Sequence, residues 1–424
     1  MIPRPSRRTV IVVALATLGA GLLSVTPAAS HTHDHAVAGV GAPAATPGQI
    51  LYAGTREAVP NGYIVSLGAD TAPSDVDRIA DSLLETYGGV KQFSYGDTLP
   101  GFSMNADATT AARMAGDPRV EYVAQDQYYT TDALVVQPTP GTQLWGLDRI
   151  DERSLPRDNK YHYPNTASNV TAFVIDTGML LNHQEFAPAG RAVCGFDPFL
   201  GGCAPCGLNH GTHVAGTIGG VTTGVAKGVQ LVSVRVFNCT GSTTAAIVIA
   251  GVNFVTLSAQ INPSRRMVAN MSLGGPSYAP MNTAVNNSIV LGNVHYSVAA
   301  GNNGQPACNY SPASTPNATT VGATTINDVK PIWSNYGTCV DLFAPGETIY
   351  SASIPATNSY ATLSGTSMAS PHAAGTAALW RHKFPADNAL AVAAALNGNA
   401  TPGVLSSIGV GSPNRLLFMA MVPV

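Results

Sequence analysis

Charge is what this sequence has least of. Only 11% of its 424 residues are Asp, Glu, Lys or Arg, and the formal net charge is -3. A chain so poor in charge and 45% hydrophobic does not have the composition of a disordered one. Nor does a near-neutral balance supply the basic field that nucleic acid or an anionic surface would require. Beyond the N-terminus no stretch is long and apolar enough to cross a bilayer. Internal repeats and long charge runs are absent, which argues against a solenoid or a charged tail. Cysteine is missing from the first 190 residues; all six lie at 194, 203, 206, 239, 308 and 339.

What is present begins with an export signal. Arg4, Arg7 and Arg8 precede an apolar run from Val10 to Val25, and Ala28-Ala29-Ser30 offers small residues for cleavage. The run is short for a membrane span and has no basic stop-transfer flank, so residues 1–30 read as a signal peptide of an exported chain. An even cysteine count in an exported chain predicts disulfides. Cys203 and Cys206 form a Cys-x-x-Cys pair, but no second such pair completes a zinc site.

Residues 31–60 are rich in Ala, Pro, Gly and His without periodicity and read as a linker. His31, His33 and His35 form a solvated tract with no further metal-ligand signal. Residues 61–130 read as a small unit of order β-α-β-β-α-β, the ferredoxin-like pattern. Its first helix carries Val76, Ile79, Leu83 and Tyr87 at helical spacing, with Ser74 as expected N-cap and Gly88-Gly89 as stop. From residue 131 to 424, apolar strands alternate with helices. The clearest strands are 170–175, 231–237, 268–273, 295–299, 320–323 and 340–343; the clearest helices are 243–258 and 281–291. Such alternation predicts an α/β fold with a doubly wound, mainly parallel sheet, whose working residues gather at the carboxyl ends of the strands.

Four positions have chemistry at such places. Gly365 to His372 sets Ser367 between a Gly-Thr turn and a small-residue helix. A serine there sits beside unpaired backbone N–H groups, though most serines before helices only cap them. Asp176 ends a strand in Val174-Ile175-Asp176-Thr177-Gly178, where an Asp could also serve as a turn residue. His210 and His213 open a helix of small residues, with no Glu between them and no HExxH spacing. Asn302 follows a strand end in Ala299-Ala300-Gly301-Asn302-Asn303-Gly304. A serine needs a base to take its proton, and the base needs a carboxylate to orient it. An Asn NH2 can stabilise the resulting oxyanion together with a backbone N–H. Spacing alone does not choose between His210 and His213.

Asp-Thr-Gly at 176–178, His-Gly-Thr-His at 210–213 and Gly-Thr-Ser-Met-Ala-Ser-Pro at 365–371 resemble, in order, the motifs of the subtilase superfamily of serine endopeptidases. The likeness covers roughly residues 143 to 416. Trp145-Gly146-Leu147-Asp148-Arg149-Ile150-Asp151 and Asn309-Tyr310-Ser311-Pro312-Ala313-Ser314 resemble the proteinase K-like group, especially its aqualysin-like members. Gly411-Ser412-Pro413-Asn414-Arg415 resembles the end of that catalytic domain, so no appended domain is expected.

The resemblance implies Ser367 as nucleophile, His210 as base, Asp176 as its partner and Asn302 in the oxyanion hole. It makes residues 61–130 an inhibitor propeptide that assists folding and is removed by autocleavage, expected between Tyr128 and Thr142. Substrate binding is carried over to Ser272, Leu273, Gly274, Gly275, Ala299, Ala300 and Gly301, whose small residues and missing acidic pair after Pro276 imply broad preference for apolar or aromatic side chains. Ala245 stands where relatives often carry an aromatic S4 lid. Structural calcium is implied at Asp341 with the carbonyls of Pro316 and Ala318, and at Asp148, Asp151 and Glu152. No cofactor is needed for catalysis. The family's disulfides match Cys308 with Cys339 and Cys206 with Cys239; Cys194 with Cys203 remains by subtraction. The expected partners are protein or peptide substrates and the chain's own propeptide, and the expected state is a secreted monomer. Asn-x-Ser/Thr sequons include those beginning at 169, 238, 270, 286, 317 and 399, of which Asn270 falls on a core strand. The rival reading is a catalytically silent binding protein on the same fold; such proteins usually lose a catalytic residue, and all four key positions are present. A second is a selective processing protease.

Overall fold

The computed structural model describes residues 48–55, 58–131, 134–135 and 143–419. The signal peptide and the histidine tract lie outside the described residues, as does much of the expected autocleavage segment.

The N-terminal unit is β1 (Ile50–Leu51), β2 (Ala58–Leu67), α1 (Val76–Tyr87), β3 (Val90–Tyr95), β4 (Gly101–Asn105), α2 (Ala108–Met114) and β5 (Val120–Thr131). Its strands pair antiparallel in the order β5-β2-β4-β3, as the ferredoxin-like pattern predicts. The stretch read as linker already takes part, since Ile50 and Leu51 pair with Val123 and Ala124. Ser74 does not cap α1. It lies in a 3-10 turn, Pro73–Asp75, that Pro73 starts with its fixed φ, and Asp75 at the cap position is drawn to Arg78 at 2.8 Å instead. Gly88 ends the helix as expected, with φ +95°.

Strand alternation gives this sheet two apolar faces. Tyr63, Val65, Phe102, Met104 and Val123 pack with Val76, Ala80 and Leu83 of α1. On the other face Ile64, Tyr95, Tyr122 and Ala124 join a cluster that belongs to the larger domain. A sheet buried on both faces needs a second partner, and two helices of that domain supply it.

The larger domain continues through β6 (Leu134–Val135), α3 (Trp145–Ile150), β7 (Val170–Asp176), β8 (Ala192–Phe196), α4 (His210–Gly219), β9 (Gln230–Arg235), β10 (Thr243–Thr244) and α5 (Ala245–Ile261). Then come β11 (Arg266–Met271), β12 (Leu273–Pro276), α6 (Ala279–Gly292), β13 (His295–Ala299), β14 (Tyr310–Ser311), β15 (Thr319–Thr324) and β16 (Leu342–Pro345). The chain closes with β17 (Ile349–Ala352), β18 (Tyr360–Ser364), α7 (Thr366–Lys383), α8 (Ala389–Asn399), β19 (Thr401–Pro402) and β20 (Arg415–Leu416). Seven strands, β16-β15-β13-β11-β7-β9-β8, form the parallel centre of a nine-stranded sheet. One face packs on α4 and α7 and the other on α5 and α6. The fold is the predicted α/β arrangement.

Two residues expected to start α5 do something else. Thr243 and Thr244 pair with Tyr129 and Tyr128, and Thr244 Oγ1 then caps the helix at the Ile247 N–H. Three disulfides close loops of this domain: Cys194–Cys203, Cys206–Cys239 and Cys308–Cys339. Asn270 is buried on β11 with both ends of its amide bonded, so its sequon is inaccessible. Among the described residues no helix is long and apolar enough to cross a membrane.

Candidate active site

The central strands end where the motifs lie. Asp176 closes β7, fully buried, and its Oδ1 accepts the Thr177 N–H at 2.7 Å. His210 opens α4 and sets Nδ1 at 2.8 Å from the same oxygen. The approach is close because residue 211 is glycine: a Cβ there would lie 2.1 Å from the Gly178 carbonyl oxygen. His213, one turn on, is a different histidine. Its Nε2 bonds the Ile349 carbonyl at 2.9 Å, and burial pushes its pKa down to about 3. The geometry pairs His210, not His213, with the carboxylate.

Ser367 is the second residue of α7. Four residues on, Pro371 sits inside the helix and has no N–H to give back to the Ser367 carbonyl. The Ser272 hydroxyl fills that place at 2.8 Å, and the Ser367 Oγ donates in return to the Ser272 carbonyl at 3.3 Å. Asn270 Nδ2 bonds Ser272 Oγ at 2.9 Å, and Ser370 Oγ bonds Asn270 Oδ1 at 2.7 Å. His210 Nε2 has no hydrogen-bond partner among the described residues.

Asn302 is held by its oxygen. Thr366 N–H and Oγ1–H both donate to Asn302 Oδ1 at 2.9 Å, and Gly301 N–H donates to Thr366 Oγ1 at 3.0 Å. The amide end that can serve an oxyanion is therefore Nδ2. A residue missed in the sequence holds this loop from behind. Asn335 is fully buried; its Nδ2 donates to the Ala300 carbonyl at 2.8 Å and its Oδ1 accepts from Asn303 and Gln305 N–H at 3.0 and 2.9 Å. Its own N–H donates to Gly301, whose φ of +101° and missing Cβ admit the amide. Ser-Asn-Tyr-Gly at 334–337 reads in sequence as a turn, and nothing local marks its target.

The groove beside Ser367 is filled by the chain's own strand. β5 runs between two strips: Thr131 and Thr130 face Leu273 and Gly274, while Tyr129 and Tyr128 face Thr243 and Thr244. Gly275 pairs outward with Ser311, and Ala299 ends β13 with Ala300 following it toward the oxyanion loop. Ala245 heads α5, fully buried next to β10. Asp126 anchors β5 on that helix, accepting the Ala246 N–H at 3.0 Å. Burial raises its carboxyl to about 6 against the pull of the Ala246 and Gln127 amides.

Two acidic sites fit a hard cation to different degrees. Asp148, Glu152 and Asp158 bring carboxylate oxygens within 4.8 Å of one another. Asp148 Oδ1, Asp151 Oδ1 and Glu152 Oε2 are buried without partners among the described residues, as a site built for a cation would leave them. Asp158 was not among the sequence candidates, because the loop that returns it to α3 is irregular. Asp151 sits beside the cluster and accepts the His162 N–H; burial raises it to about 6. Asp341 follows a different pattern: both its oxygens already accept hydrogen bonds, from Thr320 N–H at 2.8 Å and Asn397 Nδ2 at 3.4 Å, and burial raises it to about 6. It lies beside the strand that follows Pro316 and Ala318.

Comparison with known proteins agrees with the geometry. A family model described as "Subtilase family" matches residues 167–411, and one described as "Peptidase inhibitor I9" matches residues 62–132. An extracellular serine proteinase of Thermus sp. (strain Rt41A) is 43% identical over 401 residues, spanning 93% of this chain and 95% of the relative. An alkaline proteinase of Hapsidospora chrysogena is 40% identical over 385 residues, 86% of this chain and 92% of the relative. The crystal structure of a cold adapted subtilisin-like serine proteinase superposes with a TM-score of 0.61 at 45% identity, covering 66% of this chain and 99% of the other. The chain belongs to the subtilase family of serine proteases and carries that family's inhibitor propeptide domain ahead of the catalytic one.

Proposed function

We propose that the chain is a secreted endopeptidase that matures by cutting off its own propeptide and then hydrolyses other proteins through Asp176, His210 and Ser367. The observation that carries this is the buried His210–Asp176 pair at 2.8 Å, set at the same sheet edge as Ser367. Ser367 Oγ attacks the scissile carbonyl and gives its proton to His210 Nε2. Asp176 holds the ring and balances the imidazolium. The developing oxyanion is met by Asn302 Nδ2 and the Ser367 N–H. The imidazolium then protonates the leaving amine, and water releases the acyl group by the reverse route.

Peptide substrates bind as β5 does, as an added strand between Thr243–Thr244 and Leu273–Gly274. Main-chain pairing is indifferent to sequence, and the small residues at Ala299, Ala300, Gly301, Gly274 and Gly275 leave room for apolar or aromatic side chains. Export is supported by the N-terminal signal pattern and by a relative named extracellular. Asp148, Glu152 and Asp158, with Asp151 beside them, would hold a calcium ion that ties α3 to its loop; Asp341 with the carbonyls of Pro316 and Ala318 would hold a second.

The test is covalent labelling. The matured protein is treated with a serine-directed phosphonate and the adduct is located by mass spectrometry. An unlabelled Ser367 together with intact casein would refute the reading. Ser367→Ala is expected to leave the precursor uncut.

A further inference from the structure

The registers of β7, β8, β9 and β11 set two rows of side chains beneath the second half of α5. Phe173 faces Val232, and Val232 faces Val193. Two residues earlier, Met267 faces Thr171 and Thr171 faces Gln230. A spacing of two puts both rows on one face of the sheet. Phe254 of α5 meets Phe173 edge-on, with ring centroids 6.3 Å apart. Ser258, one turn later, is short, and its hydroxyl turns back to donate to the Phe254 carbonyl at 2.7 Å. The space left beneath it is a cavity of about 270 Å³ lined by both rows and by these two residues. The Cys194–Cys203 disulfide holds edge strand β8 at its side, so the cavity is pre-formed. It is remote from the catalytic edge: on β7, Thr171 precedes Asp176 by roughly 16 Å of extended strand.

One fixed charge stands at the mouth. Arg265 donates through Nε to Thr171 Oγ1 at 2.6 Å and through a terminal nitrogen to Gln230 Oε1. Two bonds to side chains of the sheet orient the guanidinium before any ligand arrives. Arg149 and Arg235 each pair with an aspartate, whereas Arg265 pairs with no carboxylate among the described residues. No acidic residue lines the cavity either.

We propose that this cavity is a second binding site, which takes a small monocarboxylate with an apolar ring. The ring lies against Phe254, Phe173 and Val232, and the carboxylate meets the Arg265 guanidinium at the mouth. Size and charge select this class. The cavity falls just below the range of about 300–1,000 Å³ found for drug-sized ligands, which excludes a long acyl chain and leaves room for one ring and a few methylenes. A polyanion would find a single cation here and an apolar wall behind it. Two sources carry the required chemistry, a free arylalkanoate and the C-terminal phenylalanine of a peptide, and the experiment separates them.

The full-length chain carrying Ser367→Ala, which keeps proteolysis out of the titration, is titrated by saturation-transfer NMR. The probes are phenylbutyrate, its uncharged amide, and the peptide glycyl-glycyl-phenylalanine with a free carboxylate. Phenylbutyrate or the peptide is expected to bind saturably, and whichever does so names the source. The amide should bind at least about tenfold more weakly than phenylbutyrate, and Arg265→Gln should weaken the acid by a similar factor without affecting the amide. Arg265 is exposed, so its replacement leaves the fold intact. Ser258→Leu, which fills the cavity, should weaken acid and amide alike. The proposal is overturned if neither carboxylate binds saturably, if acid and amide bind equally, or if acid binding is unchanged by Arg265→Gln.

Discussion

Replacing Asn335 by alanine tests whether the oxyanion loop is held from behind. The substitution removes three side-chain hydrogen bonds, to the Ala300 carbonyl and to the Asn303 and Gln305 N–H groups. All three partners are backbone groups of a loop packed against a fully buried side chain. Leaving each such group unpaired costs about 1–3 kcal/mol, so a stability loss of about 3 kcal/mol or more is expected. The loop they hold carries Asn302. Losing an oxyanion donor outright costs about a hundred- to a thousandfold in kcat, which sets the ceiling. An unpinned donor should cost less, about tenfold, with KM little changed because the substrate ladder on Leu273 and Gly274 is untouched. The decisive assay is a double-mutant cycle with Asn302→Ala, run well below the lowered melting temperature. If Asn335 acts through Asn302, the Asn335→Ala change loses its effect on kcat once Asn302 is gone. An equal loss in both backgrounds, or a loss carried by KM, would refute the argument.

Chelation should lower the melting temperature, since a cation bound at 100 times its Kd contributes about 2.7 kcal/mol. Asp148→Asn with Asp158→Asn should shrink that chelator-sensitive shift; an unchanged shift moves the site elsewhere. Release of the propeptide should depend on pH through Asp126. Its carboxyl is raised from 3.8 to about 6 in the buried interface, so the interface favours the protonated form. The contribution to binding is fully present below pH 4 and is lost as pH rises through 6, weakening the complex by up to about a hundredfold. In the processed complex, activity should therefore appear faster at pH 7 than at pH 5, and Asp126→Asn should flatten that difference. A profile unchanged by the substitution would remove Asp126 as the cause.

Much of this site was legible because its chemistry is written in short segments. Asp176 ends a strand, Asn302 follows one, and His210 and Ser367 lie at helix starts, and strand–helix alternation predicts that such positions share one edge. The structure adds the pairing itself, His210 with Asp176, which spacing could not choose over His213. What was not legible depends on contacts distant in sequence. Asn335 acts on a loop some thirty residues before it, and its own neighbourhood looks like an ordinary turn. Ser272 was named for its backbone, while its hydroxyl matters because Pro371, on another element, leaves a carbonyl without a donor. Thr243 and Thr244 have the β-branched, polar character of a helix start, and a strand from outside the domain claimed them instead.

On the proposed reading, that strand would also let inhibition and maturation proceed without separate machinery. β5 reaches the groove because its sheet has a second apolar face, where Ile64, Tyr95, Tyr122 and Ala124 are buried with residues of α5 and α6. Tyr95 OH donates to the Ala246 carbonyl at 3.3 Å, and Tyr278 OH donates to the Gln125 carbonyl at 2.9 Å. Burial on that face fixes the sheet's position, and the sheet fixes the register of its last strand. On the proposed reading, a cut downstream of β5 would remove the covalent link but none of these contacts. On the same reading, the freed segment would stay in the groove as a bound product, and activity would wait on its dissociation or digestion rather than on the cut.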